Sequence, residues 1–270
     1  MEGDSWVVVG PQIIEVDDVR AVRVGLVGGR VDVVGRDEPG ARIEVHRVDG
    51  RPLEVSLVGG ELRVGYGYTL GGWDGFLDRV RTLPARDAAD VHIAVHRDVA
   101  ARIGTVTAEG LLADVEQSSS VATMSGSLVT DGTHGVLSIK AVSGDTVVHH
   151  HTGDLRANAV SGSVTASGAF AQASITTVSG AVAVDATRAA GIAVQTVSGD
   201  TTIRLPEGSG VAVAARSVSG RVVVDGEART GEGPITGSVE VVVGDGTCRL
   251  RATSVSGHLT VLRGARVGGN

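Results

Sequence analysis

The sequence predicts an all-β protein, and within that class a β-solenoid preceded by an antiparallel meander. Three observations carry this. A Ser-Gly pair recurs at Ser125-Gly126, Ser143-Gly144, Ser161-Gly162, Ser179-Gly180, Ser198-Gly199, Ser219-Gly220 and Ser256-Gly257, and six of the seven pairs follow a valine. The first three intervals are 18 residues, the next 19 and 21. A short fixed period of this kind marks stacked repeats, each burying its apolar face against its neighbours. Forty glycines are too many for a helical chain and suit one that turns every eight or nine residues. Aromatic residues make up only 2%, so Val, Ala, Leu, Ile and Thr must fill the core.

From the N-terminus, residues 1–90 read as the meander. Gln12-Ile13-Ile14-Glu15-Val16, Arg42-Ile43-Glu44-Val45-His46 and Glu61-Leu62-Arg63-Val64 alternate with period two, the signal of strands buried on one face. Gly28-Gly29, Pro39-Gly40, Asp49-Gly50 and Gly59-Gly60 supply the turns. Residues 66–90 break the alternation and hold four of the six aromatics. Trp73, Phe76, Leu77 and Val80 fall at helical spacing, an apolar stripe suited to capping the repeats or meeting a partner.

Residues 91–270 read as solenoid coils of about 18 residues and two strands each. Counting from the serine, apolar residues occupy positions 4 and 6 of a first strand, 13 and 15 of a second, and a valine stands at 18. Thr146, Val148, Leu155, Ala157 and Val160 illustrate one coil, and Val164, Ala166, Ala173, Ile175 and Val178 the next. Residues 226–247 interrupt the period as a longer loop, and a loose tail follows the last coil.

Outward position 5 of the first strand runs Val129, Val147, Thr165, Ala183, Thr202 and Val223. Small and β-branched residues stand there in place of charge, so this row is the expected interaction face for a protein partner or a second copy.

Composition removes several functions. Net charge is −7 with a single lysine, Lys140, and no basic cluster in the sequence, which argues against nucleic-acid binding. One cysteine, Cys248, precludes an intrachain disulfide. The start, Met1-Glu2-Gly3-Asp4, carries no signal-peptide pattern, and no apolar run reaches the ~20 residues of a membrane helix, so a cytoplasmic protein without membrane insertion is expected, with the cell surface as the alternative. No phosphate-binding loop, dinucleotide fingerprint, nucleophile elbow or metalloprotease motif occurs. No catalytic group, cofactor or small-molecule ligand is expected. His149, His151 and Asp131 form the one candidate metal set, with zinc-like chemistry. They are read instead as residues of a solvated outer turn. Paired carboxylates for sugar cleavage do not recur on neighbouring coils.

The segments Ala-Val-Ser-Gly-Asp-Thr (141–146), Thr-Val-Ser-Gly-Ala-Val (177–182), Thr-Val-Ser-Gly-Asp-Thr (196–201) and Ser-Val-Ser-Gly-Arg-Val (217–222) resemble a bacterial β-strand-repeat family of candidate adhesins, a domain of unknown function. The likeness spans roughly residues 10–262. It implies a β-solenoid of bacterial, actinobacterial origin and brings no catalytic or binding residues with it. The sequence thus supports a non-enzymatic scaffold or interaction module, with an exported surface adhesin as first rival and a metal- or carbohydrate-dependent enzyme as second.

Overall fold

A computed structural model describes residues 4–67, 87–229 and 238–264. The stripe Trp73, Phe76, Leu77 and Val80, the tail after 264 and part of the 226–247 loop lie outside the described residues. All regular elements among the described residues are strands. The chain divides into two compact units, 1–144 and 145–270.

The first unit contains β1 (Asp4–Val8), β2 (Gln12–Val16), β3 (Ala21–Leu26), β4 (Gly28–Arg36), β5 (Ala41–Asp49), β6 (Leu53–Val58), β7 (Glu61–Gly65), β8 (Ala88–His96), β9 (Ala100–Thr105), β10 (Glu109–Ala113), β11 (Ser119–Thr123), β12 (Leu128–Asp131) and β13 (His134–Ala141). Its ladders run β2–β5–β8–β4–β10–β12 and β1–β6–β7–β3–β9–β11–β13. The meander expected for residues 1–90 does not form. β3 and β4 pair in parallel on both edges, β3 with β7 and β9, β4 with β8 and β10. Alternation is the same for parallel and antiparallel strands, so period two could not reveal this pairing. Antiparallel strands are confined to one end, where β5 and β2 extend one ladder and β6 and β1 the other.

The second unit contains β14 (Thr146–Ser161), β15 (Val164–Ser179), β16 (Val182–Ser198), β17 (Thr201–Leu205), β18 (Val211–Ser217), β19 (Val222–Val224), β20 (Glu227–Arg229), β21 (Ser238–Val243), β22 (Cys248–Ser256) and β23 (Leu259–Arg263). Thr146 pairs with Val164 and Val164 with Val182, in parallel and at the 18-residue period of the sequence. Repeat positions 4, 6, 13 and 15 are buried as read: Thr146, Val148, Leu155 and Ala157, then Val164, Ala166, Ala173 and Ile175. Full burial of one such aliphatic side chain contributes about 1.5–3 kcal/mol.

The repeats do not stack in sequence order. β22 inserts between β16 and β18, and β23 between β17 and β19. The last repeat of the chain therefore lies inside the stack, and residues 211–224 form the outer one. Polar contacts fasten the inserted repeat on both sides. Asp200 Oδ1 accepts the His258 N–H at 2.9 Å, and His258 Nδ1 accepts the Arg221 N–H at 3.1 Å. Asp225 accepts the Arg263 N–H at 3.0 Å and its Nε–H at 2.8 Å. Part of the expected 226–247 loop is strand: β20 and β21 pair antiparallel with β19 and β18 at the exposed end.

The Ser-Gly pairs sit at the corners between the two strands of a repeat. Ser179 Oγ donates to the Val160 carbonyl, and Ser219 Oγ to that of Val255. The glycines face one another: a Cβ on Gly180 would lie 2.1 Å from the Gly162 carbonyl oxygen, one on Gly199 2.2 Å from that of Gly180, and one on Gly257 2.2 Å from that of Gly199. Gly180, Gly199 and Gly257 have φ of 135°, 140° and 151°, so both conformation and contact demand glycine.

Candidate functional site: the outward rows of the repeats

The expected interaction row is in register within the second unit. Val147 pairs with Thr165, Thr165 with Ala183, and Ala183 with Thr202. Thr202 then pairs with Thr260, and Thr260 with Val223, so the inserted repeat contributes a member the sequence order places last. Val129 belongs to the first unit, where it pairs with Leu111. Except for exposed Thr165, these side chains are only partly accessible.

A more exposed row lies at repeat position 18. Val160, Val178, Val197, Val255 and Val218 are 48%, 48%, 49%, 50% and 77% accessible. Their neighbours fix their alignment: Ser161 pairs with Ser179, Ser179 with Ser198, Ser198 with Ser256, and Ser254 with Ser217. Five valines thus form a ridge along one corner. The reading that placed this valine among the inward positions is corrected by strand parity. Positions 13, 15 and 17 point inward, as buried Leu155, Ala157 and Ala159 show, so 16 and 18 point outward. Counting parity from Leu155 would have found the ridge in the sequence.

The second-strand face beside the ridge is polar. An open groove of about 320 Å³ there is lined by Ala214, Ala215, Arg216, Ser238, Glu240, Arg251 and Thr253. Its cations and single carboxylate come from β18, β22 and β21, so the inserted repeat is needed to build it.

The candidate metal set does not converge. His150 has φ of 49°, and the register slips between Val148 and His151. That bulge sends His149 outward and His151 into the core. His151 is fully buried, lies 6.2 Å from the Phe170 ring and has its Nε2 3.2 Å from the Asp154 carbonyl oxygen. The solvated-turn reading therefore fails for His151. Asp131 closes β12 in the first unit, where its carbonyl accepts the Asp114 N–H. Among the described residues no group of three or more His, Cys, Asp or Glu side chains is placed to hold a metal ion. Replacing His151 with Ser is expected to cost about 1–3 kcal/mol through a cavity beside Phe170 and an unpaired buried carbonyl. Replacing His149 with Ser should change stability by less than about 0.5 kcal/mol. Urea midpoints of the two variants check this.

Cys248 is buried at the start of β22, and burial raises its thiol pKa, so the unreactive thiol predominates near neutral pH.

The valine-flanked corners and the parallel ladders they join are what the family comparison recognises. Residues 167–262 match the Toastrack family, DUF4097. This Toastrack segment contains β22 and β23, the inserted repeat. No curated protein matches the chain. Among solved structures, a candidate adhesin from Parabacteroides distasonis ATCC 8503 is similar at 12% identity, with 97% of each chain covered and a TM-score of 0.50. A candidate lipid-binding protein from the same strain is similar at 9% identity over 94% of this chain and 97% of its own, also at 0.50. These likenesses show the fold, and they bear out the resemblance drawn from the Val-Ser-Gly repeats.

No helix among the described residues is long and apolar enough to cross a membrane.

Proposed function

We propose that this chain is a β-solenoid interaction module without enzymatic activity, and that it acts by pairing with a second copy of itself through the valine ridge. The observation that carries the reading is the ridge itself. Five aligned half-exposed valines present apolar surface on the order of a few hundred Å², the scale that marks contact sites on soluble proteins. Charge favours a copy as the occupant. Residues 145–270 hold ten arginines and ten acidic residues, while residues 1–144 hold 14 Lys and Arg against 21 acidic residues. The ridge-bearing half is thus balanced and does not repel its like. The position-5 row of Val147, Thr165, Ala183, Thr202 and Val223 is a second, less exposed contact row.

Changing Val178 and Val197 together to Asp tests the reading. Both side chains point outward, so the fold is retained. The wild type is expected to gain mass with concentration in sedimentation equilibrium and the variant to stay monomeric. Equal masses for both proteins would refute self-pairing. Val147→Glu with Thr165→Glu is expected to weaken association less. The rival reading, an exported adhesin, rests on the names of the neighbours. Recovery of the native protein outside the cell membrane in fractionation would favour it.

A further inference from the structure

The first unit carries an arrangement of charge that its folding does not explain. β7, β3 and β9 are neighbours, and Arg23 pairs in register with Arg63 on one side and Arg102 on the other. All three point outward, because Val22, Val24, Leu62, Val64, Ala101 and Ile103 face the core. Three guanidinium groups thus stand side by side at the ~4.8 Å spacing of adjacent strands. Like charges directly across a ladder are destabilising.

Elsewhere this chain neutralises its strand arginines by a fixed habit, an acidic residue two positions away on the same face. Arg30 pairs with Asp32 at 2.9 Å, Arg42 with Glu44 at 2.7 Å and Arg47 with Asp49 at 3.4 Å. Arg63 follows the habit, its Nε 2.7 Å from Glu61. Arg23 and Arg102 break it. Ala21 and Gly25 flank Arg23, and Ala100 and Gly104 flank Arg102. Neither arginine has a hydrogen-bond or ion-pair partner among the described residues. The next strand places Ser120 in register with Arg102, adding a hydroxyl donor to the row. The 1–144 half carries the chain's whole net charge of −7, since 14 − 21 = −7, so an unneutralised cationic row runs against its surroundings.

The geometry points to an oxyanion site. Arg23 and Arg102, supported by Arg63 and Ser120, bind a phosphate group, free or carried on a larger molecule. Planar guanidinium groups on neighbouring strands offer paired N–H donors to such a group, and its negative charge relieves the repulsion between them. This inference stands apart from the valine ridge and does not depend on it.

The test is titration of the full chain with inorganic phosphate by calorimetry at low ionic strength, where screening is weak. The wild type is expected to bind one phosphate saturably and to gain thermal stability with its concentration. Arg23→Gln with Arg102→Gln should weaken binding by roughly tenfold or more. Without phosphate, that variant should melt at or above the wild-type temperature, because the repulsion is gone. Arg156→Gln, outside the row, should bind as the wild type does. Absence of saturable binding, binding unchanged in the double variant, or a double variant less stable than the wild type without phosphate would each overturn the proposal. Vesicles of phosphatidylglycerol and of phosphatidylcholine distinguish the carrier. Arginine-dependent cosedimentation with phosphatidylglycerol alone assigns a lipid headgroup, and phosphate binding without cosedimentation assigns a soluble phosphate.

Discussion

Replacing Gly199 with alanine is expected to lower the stability of the folded chain by about 2–4 kcal/mol. Two causes add. Its φ of 140° is a conformation that residues with a Cβ rarely adopt. The new methyl would also stand 2.2 Å from the Gly180 carbonyl oxygen and 2.9 Å from its carbon. Gly180 belongs to the repeat on one side and Gly257 to the inserted repeat on the other, so neither neighbour can yield without moving its own repeat. Gly208 is the control. Its φ is also positive, at 75°, but no atom lies within 4 Å of a Cβ built there. Gly208→Ala should cost no more than about 1 kcal/mol. Urea denaturation measures both, and equal losses would show that the stacked corner carbonyls are not what demands glycine.

Removing residues 247–270 is expected to abolish cooperative folding of the 145–246 portion. In a stack that followed sequence order, this deletion would only shorten one end. Here it removes the parallel partners of β16, β17, β18 and β19 together. It also strips out Leu250, fully buried and in register with Ile192 and Val213. Leu250→Ala alone should cost about 2–5 kcal/mol. Hydrogen exchange of residues 211–224 reads the outcome, since those amides lose protection in the deletion if β22 and β23 are the wedge that holds β18 and β19. Retained protection there would contradict the inserted order.

The all-β class and the inward positions were legible because they depend on local alternation. Thr146, Val148, Leu155 and Ala157 are buried at the positions the 18-residue period assigned. Three features were not legible, for different physical reasons. The place of β22 and β23 was hidden because a parallel strand reads the same whichever neighbours flank it. The 37-residue gap between Ser219 and Ser256 showed a broken period but not where the chain returned. The burial of His151 was hidden because one left-handed residue, His150, shifts the parity of everything before it on the strand. The arginine row was hidden because Arg23, Arg63 and Arg102 are 40 and 39 residues apart in sequence and adjacent only through β3's parallel pairing. The valine ridge, by contrast, was available to anyone who counted parity past Leu155.

The most direct measurement of the ridge pairing is disulfide trapping. Val178→Cys and Val197→Cys each place a thiol on the ridge, and Ser174→Cys places one on the neighbouring polar face as a control. Native Cys248 stays silent in the folded protein, being buried with its thiol pKa raised. Under mild oxidation the two ridge variants are predicted to give covalent dimers at concentrations where the wild type associates, and Ser174→Cys to stay monomeric. Ridge variants that remain monomeric while the wild type still associates would show that the contact lies elsewhere and would contradict the account.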